Sequence, residues 1–183
     1  MAAAPVQEQL QAAGLEVSGQ CERLSQCPGL MQNAALLHDF SPAEADILGA
    51  SMLHVKAQPG QVLIAEGDTS DWLMLLLRGT VDVGKQKIGT ETDAHEPGDI
   101  TRIAVLREGA TLGEMSMLDG EPRYASCRAI TEVEAGVLSR GALASLIQRH
   151  PAIGAKLLVK LTQVLAQRLR NTSNQLVKVL RTR

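Results

Sequence analysis

The sequence predicts a mainly β domain, a small antiparallel barrel or jelly roll with helices at both ends. Three observations predict it. Between His54 and Leu138 short apolar runs alternate with the glycine turns Pro59-Gly60, Glu66-Gly67-Asp68, Arg78-Gly79 and Glu108-Gly109, the pattern of many short antiparallel strands. From Gly154 to Leu180 apolar residues return every three or four positions, the period of one helical face. Ahead of both, Ser41-Pro42-Ala43-Glu44 carries a serine cap, a proline at the first helical position and a glutamate three residues past the cap. That combination starts a helix, because cap and glutamate satisfy orphan amides reciprocally and proline has none to lose.

In chain order, residues 1–35 read as a weakly amphipathic helical extension, broken near Gly14, Gly19 and Pro28-Gly29. The helix that starts at Ser41 runs to about Met52. Strands follow at His54–Ala57, Gln61–Ala65, Trp72–Leu77, Thr80–Gly84, Ile100–Leu106, Tyr124–Ile130 and Val133–Leu138. Lys85–Asp99 is polar and holds Gly89, His95 and Pro97-Gly98, so it reads as a surface hairpin loop. Gly141–Arg149 makes a short helix and His150-Pro151 begins a second. Gly154, Leu158, Leu161, Leu165, Leu169, Thr172, Leu176 and Leu180 mark its face. At ~1.5 Å per residue this helix is about 45 Å long, more than a small barrel covers. Part of its apolar face is therefore expected to pack on a second copy of the chain.

The 183 residues, 45% hydrophobic, are enough for one domain with a proper core. A formal charge of −2 argues against wholesale nucleic-acid binding, and Phe40, Trp72 and Tyr124 are too few for a base-stacking platform. Met1–Gln11 lacks the apolar run of a secretory signal, and no stretch reaches membrane-span length. Cys21, Cys27 and Cys127 are an odd count without metal-pair spacing, which points to a reducing cytoplasm. His38, His54, His95 and His150 stand alone, with no helical pair spacing for a metal. The charge is uneven. Pro151–Arg183 holds Lys156, Lys160, Arg168, Arg170, Lys178, Arg181 and Arg183 and no acid, so the other 150 residues sum to −9. Either the helix lies against acids of its own chain, or it offers a docking surface to an acidic partner.

The chemistry concentrates in Gly113-Glu114-Met115-Ser116-Met117-Leu118-Asp119-Gly120-Glu121-Pro122-Arg123-Tyr124-Ala125-Ser126. Glu114 and Arg123 stand nine residues apart. A carboxylate accepts hydrogen bonds from sugar hydroxyls, and a guanidinium presents a planar fork of donors to phosphate oxygens. Ser116–Asp119 could form one helical turn with its free amides facing an anion. The layout suits a sugar phosphate; the plain alternative for the pair is a structural ion pair at a barrel edge. Neither Ser126 nor Cys127 has a histidine and an acid arranged around it in sequence, so no enzyme is expected.

This stretch resembles the phosphate-binding cassette of the cyclic-nucleotide-binding domain family. Pro59-Gly60-Gln61-Val62-Leu63-Ile64-Ala65-Glu66-Gly67-Asp68 resembles the family's early strand-turn segment, and Leu75-Leu76-Leu77-Arg78-Gly79-Thr80-Val81-Asp82-Val83 its central hairpin. The resemblance covers residues 36–183, with a barrel at about 53–139 and C-terminal helices at about 140–181. It implies an eight-stranded jelly roll flanked by helices. It also implies that Glu114 binds the ribose 2′-hydroxyl and Arg123 the equatorial oxygen of the cyclic phosphate. Gly113, Met115, Ser116, Tyr124 and Ala125 complete the set, through amides near Ser116 and Tyr124-Ala125, and Val83, Ile103 and Ala104 line the apolar side.

The long helix is similar to the dimerising helix of the bacterial catabolite-activator group. There a Thr-Ser pair reaches the adenine amino group, one residue from each subunit; Thr172 and Ser173 stand at the matching positions. The resemblance therefore implies a cytoplasmic homodimeric sensor for cAMP (alternative cGMP), with no cofactor, that moves its terminal helix and signals to a separate partner. Two departures stand out. The residue after the cassette arginine is usually small, whereas here it is Tyr124, whose ring can stack on the base, block the pocket or point outward. The helix-turn-helix that follows in the catabolite-activator group has no counterpart before Arg183. Two other readings remain: a ligand-independent dimeric assembly module, in which Tyr124 fills the pocket and the basic helix is the working surface, and a sensor for cGMP or a cyclic dinucleotide.

Overall fold

The computed structural model describes residues 5–86 and 100–181. Nine antiparallel strands form two sheets, which helices flank at the start and end of the described chain. In chain order the elements are α1 (Val6–Ala12), β1 (Glu16–Gln20), α2 (Leu30–Asn33), α3 (Pro42–Ala50), β2 (Leu53–Ala57), β3 (Val62–Ile64), β4 (Trp72–Arg78), β5 (Thr80–Gln86), β6 (Ile100–Arg107), β7 (Thr111–Leu112), α4 (Glu114–Asp119), β8 (Ser126–Ala129), β9 (Val133–Ser139), α5 (Arg140–Arg149) and α6 (Pro151–Arg181), with short 3₁₀ turns at Leu24–Gln26 and Ala35–Leu37. One sheet runs β1-β2-β9-β4-β7 and the other β3-β8-β5-β6. The arrangement is jelly-roll-like, two sheets rather than a closed barrel.

Alternation along β4 decides where the cores sit. Trp72, Met74 and Leu76 enter a core between the sheets, with Val55, Val81, Cys127, Val133 and Val137. Leu73 and Leu75 point the other way, into a second core under the helices with Leu48, Met117, Leu143, Leu146, Leu157 and Leu161. Burial on both faces explains why Trp72–Leu77 reads as an unbroken apolar run. Each fully buried leucine contributes about 2 kcal/mol.

The seven expected strands are present, within two residues at each end. The expected surface hairpin over Lys85–Asp99 falls largely on 87–99, outside the described residues. The N-terminal reading needs correction. The segment expected to be helical holds a strand, β1, paired to β2 with a bulge between Val17 and Gln20. Gly14 and Gly19 adopt left-handed φ of 80° and 105°, which end α1 and turn the bulge. Leu10, Leu15, Leu24 and Leu30 from this segment are fully buried in the two cores. His54 on β2 joins its neighbours on both sides, at 2.6 Å from Ser18 Oγ and 3.3 Å from Glu134 Oε2.

α3 begins as expected: Ser41 Oγ accepts from the Glu44 amide at 3.2 Å, and the Ser41 amide donates to Glu44 Oε2 at 2.8 Å. The charge asymmetry of α6 has a local answer. Lys156 donates to Glu44 at 2.6 Å, Lys160 pairs with Asp39, and Arg168 pairs with Glu114. The first half of the basic helix thus lies on acids of its own chain.

Candidate functional site

The site forms where β4, α4 and the turn before β8 meet. Gly113 caps α4 with φ 78°. A side chain there would be strained by that φ, and its Cβ would lie 2.5 Å from Arg123 Nη1 and 3.0 Å from Ile64 Cδ1 and the Trp72 carbonyl. Only glycine lets the helix start this close to the arginine.

Arg123 is 3% exposed. Its Nε donates to Ser70 Oγ at 2.8 Å, Nη1 to the Gly113 carbonyl at 2.6 Å and Nη2 to the Trp72 carbonyl at 2.6 Å. The guanidinium also stacks on the Trp72 ring, 4.4 Å from its centroid. Its backbone is fixed as well, since the Arg123 amide donates to the Asp68 carbonyl at 2.7 Å. Burial pulls the guanidinium below its ordinary pKa, while Cys127, Asp68, Asp71 and Glu114 push it back up. Three neutral acceptors and an aromatic face hold the cation, with no carboxylate at salt-bridge distance among the described residues. A guanidinium has five donors, so two remain for an oxyanion.

Glu114 is 1% exposed, yet it does not pair with Arg123. Its Oε1 accepts from Arg168 Nη1 on α6, and its Oε2 is buried with no hydrogen-bond partner among the described residues. The ion-pair alternative for Glu114 and Arg123 is therefore not what the structure holds. Arg168 Nη2 also donates to the Thr111 carbonyl. An orphaned carboxylate oxygen costs about 1–3 kcal/mol, and a hydroxyl donor would satisfy it.

Gly113, Glu114, Ser116 and Arg123 come together; Ser116 is buried and Met115, 47% exposed, faces outward. Tyr124 is 58% exposed and does not fill the pocket. Lys85 holds it: Nζ lies 4.0 Å from the ring centroid and donates to the Tyr124 carbonyl at 2.7 Å and to Glu66 Oε1 at 2.9 Å. Burial pushes the Glu66 carboxyl up, but the Gln86 amide and Lys85 outweigh it and bring it below its ordinary range. Ala125, next in the turn, is partly buried.

Val83 and Ala104 face each other across β5 and β6. Ile103, one residue along, is 49% exposed and has no strand partner of its own, because the register shifts between Val83 and Gly84 and leaves it as the bulged residue beside Ala104. Thr172 and Ser173 are exposed on α6. The residue that sequence reasoning missed is Arg168. Its signal was its place four residues before Thr172, one turn back on the same helix.

A cavity of about 460 Å³ opens beside this helix, lined among others by Val105, Thr111, Val164 and Arg168. A larger one, about 880 Å³, lies between the N-terminal segment and the first sheet and shares no residue with the cassette. The orphaned carboxylate and the caged arginine, rather than cavity size, locate the site.

The chain is similar to known proteins over most of its length. Residues 54–150 match the family model of the cyclic nucleotide-binding domain. The chain is 30% identical, over 82% of its length, to the CRP-like cAMP-activated global transcriptional regulator of Mycobacterium tuberculosis. It spans 62% of that relative's length. Among solved structures, a cyclic nucleotide-binding domain from Methylobacillus flagellatus superposes with a TM-score of 0.76 at 32% identity, covering 90% of this chain and 88% of that one. The catabolite activator protein of Thermus thermophilus does so with a TM-score of 0.68 at 28% identity, covering 80% and 63%. With more than half of its length on the family model, the chain belongs to the cyclic nucleotide-binding domain family.

Proposed function

We propose that the chain is a sensor that binds a 3′,5′-cyclic nucleotide, cAMP in preference to cGMP, and passes the signal to a separate partner by moving α6. The observation that carries this reading is the buried Glu114 carboxylate, with one oxygen on Arg168 and the other without a partner among the described residues, beside an arginine with donors to spare. Ribose hydroxyl on the first and cyclic phosphate on the second fit the donor and acceptor inventory. Arg168 links the site to α6, so a ribose that takes Glu114 alters what α6 rests on. A ligand shifts such an equilibrium only by its differential affinity for the two arrangements.

Cyclic AMP is favoured through Thr172 and Ser173, which requires a second copy of the chain. Support for a homodimer comes from α6 itself. Leu158, Leu169, Leu176 and Leu180 lie on one face and are 36–69% exposed, and Thr172 and Ser173 fall one turn past Leu169 on that stripe. The assembly-module reading gains nothing from Tyr124, which is exposed rather than packed inward. No described helix is long and apolar enough to cross a membrane.

Calorimetric titration of refolded, nucleotide-stripped protein tests the proposal. Saturable binding with cAMP preferred over cGMP is the expected result. A folded protein that takes up neither ends the sensor reading and restores the assembly module.

A further inference from the structure

α4 is six residues long, and left-handed glycines flank it, Gly113 at φ 78° and Gly120 at φ 80°. A helix this short has little stability of its own. What grips it from outside therefore sets how it presents Glu114.

Two arginines grip it, one at each end, and both come from the C-terminal helices. At the N-terminal end Arg168 of α6 holds the Glu114 carboxylate. At the other end Arg140, the first residue of α5, donates from Nε to the Met117 carbonyl at 2.7 Å and from Nη2 to the Ser116 carbonyl at 2.9 Å. The Met117 carbonyl lies in the last turn, where carbonyls lack partners within the helix; the Ser116 carbonyl also accepts from the Gly120 amide at 3.0 Å, and a cation at this end complements the helix dipole. The Arg140 amide in turn donates to the Asp71 carbonyl at 2.9 Å, one residue before Trp72, whose carbonyl holds Arg123. One residue thus touches the cassette helix, the strand beneath the phosphate arginine and the helix leading into α6.

The two grips differ in kind. Arg168 holds a side-chain carboxylate that a sugar hydroxyl would share. Arg140 holds backbone carbonyls in the C-terminal half of α4, away from the Glu114 carboxylate.

We propose that Arg140 is a positioning residue: it fixes α4 so that Glu114 stays in line with Arg123, and it is the pivot through which displacement of α4 reaches α5 and α6. The second half rests on the cyclic-nucleotide reading of the site; the first does not.

The test uses the full chain with Arg140→Gln and Arg140→Lys. Amide hydrogen exchange over residues 113–120, without ligand, reports the hold on α4. In Arg140→Gln that exchange rises about tenfold while β4 and β9 keep their protection; Arg140→Lys, which keeps a cationic donor, lies between. Cyclic AMP affinity falls about five- to tenfold. At saturating cAMP, the change the ligand makes in exchange around Arg168 disappears. Unchanged exchange over α4 in a folded Arg140→Gln overturns the proposal. So does raised exchange with affinity and the α6 response intact, since Arg140 would then be a helix cap and no more. If the parent protein binds no cAMP, the cyclic-nucleotide reading fails by itself, and exchange over α4 still decides whether Arg140 positions it.

Discussion

Arg168 of α6 rests its guanidinium on the buried carboxylate of Glu114 at the start of α4, so the long helix and the candidate binding site share a single ion pair. Arg168 keeps 39% of its side chain exposed while Glu114 is sealed from solvent, which makes the carboxylate the partner with more to lose. Arg168→Ala should destabilise the fold by about 1–3 kcal/mol, near the lower end because solvent reaches the arginine. Adding Glu114→Gln should recover part of that loss, because no buried charge is then stranded. Urea unfolding of the three variants checks this, and additive effects in the double variant would contradict it.

Arg123→Ala should weaken cAMP binding at least about thirtyfold, the ~2–5 kcal/mol typical of losing one partner of a desolvated charge contact. Glu114→Ala should cost less, because its ribose partners are neutral hydroxyls. Calorimetry on both variants decides; parent-like affinity in both means the cassette assignment is wrong.

Trp72 is the single tryptophan of the chain and stacks 4.4 Å from the Arg123 guanidinium. A phosphate drawn to that cation alters the field at the indole. Its emission should therefore change saturably with cAMP, with the midpoint that calorimetry finds, and the change should vanish in Arg123→Ala. Emission that stays flat through a calorimetric transition would separate the ligand from Arg123.

Burial pushes the thiols of Cys21 and Cys127 from 9.0 up to about 12. Cys27 raises the first further, whereas Arg123 tempers the second. Both thiols stay protonated in the folded protein, while the unfolded chain begins to release those protons above pH 9. Their contribution is therefore complete below pH 9 and is lost as pH climbs towards 12, at about 1.4 kcal/mol per pH unit for each thiol. Unfolding curves at pH 8 and 10.5 should show the drop, and a Cys21→Ala, Cys127→Ala double variant should show a smaller one. Equal drops would assign it to other groups.

Leu176→Glu places a charge on the exposed stripe of α6. In a homodimer joined by that stripe, sedimentation should fall to the mass of a single chain with the fold intact. A parent protein that already sediments as a single chain would refute the dimer.

Much of this architecture was legible locally. Strand alternation, glycine turns and the capped start at Ser41 are short-range signals, and they located seven strands and the flanking helices. β1 and the two-residue β7 were not, because each exists by pairing with a distant strand, β1 with β2 and β4 with β7, and edge pairing leaves little trace in a short sequence. The N-terminal segment carried weak helical periodicity, while the burial that shapes it comes from residues far along the chain, Leu15 in the core between the sheets and Leu24 in the core under the helices.

The same division runs through the site. By itself the sequence determined the residue types: an acid and an arginine bracketing a short helix, glycines where backbone must approach backbone, and an apolar stripe longer than the fold can cover. These follow from local conformational rules and from the hydrogen-bonding chemistry of single side chains. Only the tertiary structure decided the partners. Glu114 meets Arg168 rather than Arg123, Lys85 and Glu66 turn Tyr124 outward, and Arg140 closes on the far end of α4. Each of these contacts joins residues nineteen or more positions apart, and long flexible charged side chains reach whichever acceptor the packed backbone brings near. That choice is made by the fold as a whole.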